Sequence, residues 1–465
     1  MDKLLARIGL VSGDVVVPSS ILRCPSEVLS LVFRCLLDEI PPVSSSFCDQ
    51  RAKLSLVCRL WWSVVVGDAA LWQHVIVTPS SDLDVVDRVM QITRGHGLSV
   101  YLVDNKRSEL YGGSDRRRLL LTVFNRILPS SPRWFRLEIV TTSTYAHKAM
   151  LDHLDNLNCP RLRSITLRSP NRAAILSPSP LAVILRCSAL QRLVIHRCNF
   201  PENVPESLPN LRVLSLCDLP TIYSPTEHQL FLLLRCAPQL RRLEMVRMGL
   251  RIRPDFPEPA VERAELPSVT ILILAFNVAL HPGRAFFRVL RHLDVPNLQH
   301  LHLGLPTDSD VKYFLGADPV LHSPSLSIAG RLFDPGLIHR LLSTFPRVGT
   351  LDLVDADRPV VLRQLGSVGV DGAPPRPLIM GSLTRIRVRP SHWNTLIEGL
   401  AARRHATPSS LCVELVPHEG AVPDVPDRHS STLQLLESMV ESVVWGRYVQ
   451  HETHELLRFP GLHFG

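Results

Sequence analysis

The chain has 465 residues, of which 45% are hydrophobic and 20% charged, so it folds and has room for several domains or for one small domain and a long array. Aromatic residues make up only 6% while leucine is abundant, which suits a repetitive aliphatic core better than a compact enzyme pocket. The net charge of +8 is almost all arginine (lysine stands only at 3, 53, 106, 148 and 312), and the longest basic run, Arg116 to Arg118, is too short and isolated to make a nucleic-acid surface.

Residues 1–20 carry no strong pattern and are expected to be a flexible N-terminus. Between Ile21 and Trp72 the apolar residues Val28, Leu29, Val32, Phe33 and Leu36 recur at three- and four-residue spacing, on one face of a short helix. Pro25 suits the first turn of that helix, where its missing N–H costs nothing, and Glu27 suits the same positive helix end. A polar loop from Asp38 to Lys53 is expected next, then a second helical run carrying Leu56, Val57, Leu60, Trp61 and Val64. So much apolar surface on two or three short helices exceeds what about fifty residues can bury alone. The surplus faces the rest of the chain or a partner.

Past residue 130 one phrase keeps returning: an aliphatic residue, two variable residues, a second aliphatic, one variable, a third aliphatic. Clear copies are Leu162/Ile165/Leu167, Leu190/Leu193/Ile195, Leu211/Leu214/Leu216, Leu240/Leu243/Met245, Val269/Leu272/Leu274, Leu298/Leu301/Leu303, Val348/Leu351/Leu353 and Leu383/Ile386/Val388. Trp134/Leu137/Ile139 is an earlier divergent copy, and Leu326 starts a degenerate one. Successive starts are 21 to 35 residues apart, mostly 28 or 29. Prolines at 160, 209, 238, 267, 296 and 346 stand just before most copies, where they stop the preceding helix. Helical patterns fill the gaps, at Pro180–Cys187, Thr226–Cys236, Arg284–Leu293 and Asp334–Phe345. Arg251 to Pro267 and Asp355 to Pro377 read as long loops. Thr432 to His454 reads as a helix with Leu433, Leu436, Met439, Val440 and Val443 in a stripe, closing the array.

Two resemblances follow from these residues. Pro25-Ser26-Glu27-Val28-Leu29, Val32-Phe33, then Leu56-Val57-Cys58-Arg59 with Trp62, and finally Leu71-Trp72, resemble an F-box of the form common in fungal proteins. Cys24 stands where that family usually has leucine. The recurring phrase resembles the leucine-rich repeat. Together they imply an α/β fold: an F-box-like helical segment (residues 21–76), a connection with first irregular repeats (77–130), a curved solenoid of parallel strands and outer helices (131–390), and a C-terminal cap (391–465).

The resemblance also implies a function. An F-box docks on a Skp-type adaptor and through it on a cullin, so the chain would be the non-catalytic substrate-recognition subunit of a ubiquitin ligase. Pro25, Leu29, Val32, Phe33, Leu56, Val57 and Trp62 would form the adaptor-binding face. The repeat array would bind a protein target on its concave sheet face, where strand alternation turns outward Arg168, His196, Arg242, Glu244, His300, His302, Asp352, Arg385, Arg387 and Arg389. The last three would make a basic cluster. The alternative is a ligand-binding solenoid, for peptide or RNA, that works without ubiquitin.

Enzyme fingerprints are absent: no phosphate loop, no dinucleotide-binding glycines, no Gly-x-Ser-x-Gly. His451-Glu452-Thr453-His454 is one residue short of the spacing that sets two histidines on one helix face for zinc. No two of the ten cysteines form a Cys-x-x-Cys pair, so no metal or cofactor is expected and a reducing compartment, cytoplasm or nucleus, fits. The longest apolar run, Val269 to Leu280, is too short to cross a bilayer, and no secretory signal pattern opens the chain.

Overall fold

The computed structural model describes residues 23–38, 45–103, 113–140, 159–168, 187–198, 207–219, 224–251, 263–275, 289–317, 321–330, 332–354, 382–389, 393–404, 411–416 and 431–445, with a few isolated positions between them. The chain forms two compact units, Met1–Pro170 and Asn171–Gly465. The expected N-terminal segment 1–20, the helix at 180–186, the tail with His451 to His454 and most of the excursion at 355–377 lie outside the described residues.

The first unit opens with three short helices, α1 (Ser26–Asp38), α2 (Ser45–Leu56) and α3 (Arg59–Gly67), and a 3-10 turn, Ala69–Trp72. Two sequence expectations are corrected here. The polar loop is largely helix α2, which sinks Phe47 and Leu54 into the core. The single helical run from Leu56 to Val64 is broken, because Cys58 is extended (φ −161°, ψ 171°) and starts α3 afresh. The core of these helices is Leu29, Phe33, Leu37, Phe47, Leu54, Trp61, Val64, Val65 and Leu71. Phe33 and Trp61 meet at 4.7 Å between ring centroids. Asp68 ties the segment together. It accepts from the Ser30 hydroxyl, takes three bonds from Arg34 (2.8, 2.9 and 3.0 Å) and caps the 3-10 turn through the Ala70 N–H at 2.9 Å.

Four parallel strands follow in the same unit: β1 (His74–Val77), β2 (Leu98–Val103), β3 (Trp134–Val140) and β4 (Ser164–Arg168), paired in chain order. Helices α4 (Leu83–Ile92) and α5 (Gly113–Ile127) lie in the first two connections. The array therefore starts two strands before Trp134. In register with Leu137 and Ile139 stand Val100 and Leu102, and with those Val75 and Val77. Their sequence signal is weak because Val replaces Leu and the first phrase position falls on Trp72 and Gly97.

Among the described residues the second unit continues the pattern with ten parallel strands. They are β5 (Arg192–His196), β6 (Val213–Cys217), β7 (Arg242–Val246), β9 (Ile271–Ala275), β11 (His300–Gly304), β12 (Ser325–Ala329), β13 (Thr350–Asp352), β14 (Arg385–Val388), β15 (Cys412–Leu415) and β16 (Ser442–Trp445). Neighbours in this sheet follow chain order, the signature of a one-dimensional array. Short strands β8 (Ala264–Glu265) and β10 (Leu293–Asp294) form a separate pair, so the expected loop before Pro267 ends in a strand. Helices α6 (Glu227–Arg235), α7 (Asp308–Ala317), α8 (Pro335–Ser343), α9 (Trp393–Arg404) and α10 (Ser431–Met439) occupy five of the connections. The first is fixed by a capping box between Thr226 and Gln229.

The register corrects two more readings. Leu326 pairs with Leu301 and Leu351, so it is the second residue of its phrase and Ser323 is the first. The interval from Leu298 to Ser323, and from there to Val348, is then 25 residues each, and the irregular spacing disappears. The C-terminal helix stops at Met439, and Val443 belongs to β16, which pairs with β15. Strand order thus continues through 391–445 instead of ending at Val388.

The recurrent proline has a sharper role than helix stop. Leu162, Leu211, Leu240, Val269, Leu298 and Val348 each donate their N–H to the carbonyl three residues back, at 3.1–3.4 Å. The proline is the second residue of each four-residue turn, where its fixed φ is already the one required. After the turn the chain enters the strand, and the second and third aliphatics of every phrase copy become buried.

Candidate functional site

Two surfaces carry the functional expectations. The first is the helical segment. Leu29 and Phe33 are buried in its own core, which corrects their assignment to an adaptor-binding face: on α1 they point inward, while Val28, Leu31 and Val32 point out. Pro25 is exposed at the start of α1. Leu56 ends α2 and is 82% exposed, Val57 follows it in the open, and Trp62 on α3 is 51% exposed. The neighbouring Trp61 is the one that packs inside. A run of two tryptophans on a short helix leaves one on each side, and periodicity from Leu56 could not say which because the helix breaks at Cys58.

Among the described residues, thirteen large apolar side chains are exposed, and six of them (Val28, Leu31, Val32, Leu56, Val57, Trp62) lie within this one segment. The core beneath them is complete without them. Asp68 holds α1 to the 3-10 turn. Burial would raise its carboxyl, but the bonds from Ser30, Arg34 and the Ala70 N–H outweigh burial and bring it below the usual carboxylate range. On the other side of the segment Arg51 stacks over Trp72 at 4.0 Å, and burial lowers the affinity of its guanidinium for the proton.

The second surface is the sheet face formed by residues between the buried aliphatics. In the second unit it changes character along the array. Across β5 to β9 it is covered: Val194, His196, Ser215, Cys217, Glu244, Val246, Ile273 and Ala275 are all buried. His196 is therefore no exposed target contact. Its Nε2 lies 2.8 Å from Asp218 Oδ2, and Arg247 holds the same carboxylate at 2.9 Å. Burial pushes Asp218 up, yet His196, Arg247 and Arg197 together bring it below its ordinary value. Arg197, Asp218 and Arg247 all have positive φ (57°, 53° and 48°), and each donates its N–H to the next strand, so one left-handed step recurs at the strand ends. Arg242 is mostly covered and bound to Glu244, which also accepts from Ser215.

From β11 onward the face opens. His300 and Arg385 are exposed; His302 is half-buried with Nδ1 at 2.9 Å from Ser327 Oγ. Arg387 does not add to a basic cluster, because it bridges Asp352 at 2.5 Å and Glu414 at 3.2 Å. Arg389 is half-buried beyond the end of β14. The three arginines thus share a line in the sequence but not a common charge in space. Arg168 is in the first unit, on β4, with Nε 3.9 Å from Glu138 of β3. Glu138 and Arg136 of β3 and Tyr101 of β2 escaped the sequence reading; carrying the two-residue alternation back to β2 and outward from Trp134 would have exposed them.

Among the described residues no three His, Cys, Asp or Glu side chains gather closely enough to hold a metal ion, and no helix is long and apolar enough to cross a membrane. No protein-family model matches the chain, and no curated protein matches it.

Proposed function

We propose that the chain is the substrate-recognition subunit of a Skp–cullin–F-box ubiquitin ligase. The observation that carries this reading is the apolar excess on the helical segment: six large side chains exposed outside a closed core. Exposed apolar side chains gathered in one short segment favour a partner site, and burying such side chains yields about 25 cal/mol per Å². In this reading Pro25, Val28, Leu31, Val32, Leu56, Val57 and Trp62 meet the helices of a Skp-type adaptor, while Leu29 and Phe33 hold the segment together from inside. The strand array then binds a protein target. The chain makes and breaks no bonds; it raises the target's effective concentration near a conjugating enzyme.

Co-precipitation of the full chain with a Skp-type adaptor tests this. Wild-type protein is expected to capture the adaptor, and Leu56→Asp with Trp62→Asp to lose capture while circular dichroism stays unchanged. Undiminished capture by that variant would overturn the docking surface. Failure of the wild type to capture any adaptor would instead favour a ligand-binding scaffold that acts outside ubiquitin transfer.

A further inference from the structure

In the first unit, two guanidinium groups sit over one buried carboxylate on the sheet face. Arg136 Nη2 lies 3.0 Å from Glu138 Oε2, and Arg168 Nε lies 3.9 Å from Glu138 Oε1. The carboxylate is only 2% exposed, whereas the arginines are 40% and 29% exposed. Glu138 is thus an internal tether for Arg136, which it holds by a hydrogen bond, while Arg168 stands at ion-pair distance from its other oxygen, beyond hydrogen-bond reach. Two positive charges against one negative leave a net single positive charge. The Tyr101 ring supports Arg136, whose guanidinium carbon is 5.3 Å from its centroid. In the same register Ser164 and Thr166 border the pair. Two titratable neighbours stay neutral at neutral pH: burial and Arg136 drive His74 toward its neutral form, and burial raises the Tyr101 phenol.

We propose that this Arg136–Arg168 pair is a recognition site for the carboxylate side chains of an acidic protein segment. The proposal rests on the reading of the strand array as a target-binding surface, and locates one contact in the first unit instead of at the cluster of Arg385, Arg387 and Arg389. Three features favour a carboxylate. Guanidinium forks match its two oxygens. The net single charge balances one carboxylate better than a doubly charged phosphoryl group. The hydrogen bond to Glu138 and the Tyr101 ring hold Arg136 in place before the ligand arrives, so less side-chain entropy is lost on binding.

The test titrates the full chain with a short poly-glutamate peptide and, separately, with a short oligouridylate, by calorimetry at low and moderate salt. Poly-glutamate is expected to bind wild type, and Arg136→Gln with Arg168→Gln to weaken it by about tenfold or more at unchanged melting temperature. Arg385→Gln is expected to leave the affinity within about twofold. Equal affinity for wild type and the double variant overturns the site, as does binding of the RNA in preference to the peptide. Adaptor capture is measured on the same double variant: retained capture with lost peptide binding supports the site, and loss of adaptor capture alone speaks only against the docking reading.

Discussion

The strand array and the helical segment draw on the same aliphatic residues and dispose of them in opposite ways. In the array the second and third aliphatics of every phrase copy vanish into the core, strand after strand. In the helical segment about half of the patterned apolar residues close a core, and the rest stay in the open. A repeat shares its burden with two neighbours, so every aliphatic has a place. A segment of three short helices has no repeating neighbours to share its load; its core takes in Ile76 of β1 and still leaves six large apolar side chains exposed.

The largest test of this contrast replaces one side chain from each region. Leu272 in β9 is fully buried, and Leu272→Ala is expected to cost about 3 kcal/mol from lost transfer energy and the cavity left behind. Trp62→Ala removes a larger side chain but is expected to shift stability by no more than about 0.5 kcal/mol. Urea denaturation followed by circular dichroism compares them; a Trp62 effect as large as that of Leu272 would mean that the exposed residues belong to the core after all.

How legible this was follows from the same contrast. The parallel strands from β3 to β14 are legible because aliphatic residues fill most of their phrase positions and the array reproduces one packing problem at a near-fixed period. They were missed at β1, β2, β15 and β16, where Val, Gly or polar residues fill the phrase and register alone marks the copy. In the helical segment, apolar content was evident but its direction was not. Leu29 and Phe33 share a face with Val32 by spacing, yet only the narrower row of Leu29, Phe33 and Leu37 is buried, and Val28 and Val32 at its edge stay exposed. On the sheet face, sequence fixes which residues alternate outward but not what they meet. His196 and Arg387 read as free charges until Asp218, Asp352 and Glu414 appear beside them across strands.

A pH test of intermediate size concerns the joint of the helical segment. Asp68 has a folded pKa below its unfolded one, so its contribution is fully present above the ordinary carboxylate value of about 4 and is lost as pH falls through the lower, folded value. Asp68→Asn is expected to lower stability at neutral pH by about 1 kcal/mol, discounted for the solvent screening of the half-exposed Arg34, and to lose less on acidification than wild type. Urea midpoints at neutral pH and near pH 3 give the difference; parallel profiles for the two proteins would exclude this role of Asp68.

The smallest effect separates two tryptophans of the same segment. Trp72 donates its indole N–H to the Val65 carbonyl at 2.6 Å, while the buried indole N–H of Trp61 has no hydrogen-bond partner among the described residues. Trp72→Phe is expected to cost about 0.5 kcal/mol more than Trp61→Phe, once each is corrected for lost ring volume. Thermal melts of the two variants suffice, and a reversed order would place the missing partner of Trp61 in solution.

The proline turns have a consequence for how such a chain changes over time. Each turn closes its one hydrogen bond within four residues and hands the backbone to a strand whose partners are simply the copies before and after. A segment running from one proline to the next can therefore be duplicated or deleted without redesigning what remains, since the cut ends meet the same kind of neighbour they had before. Descendants of this chain are free to differ in copy number, and the length of the array becomes a quantity that gene duplication can adjust in steps of one strand.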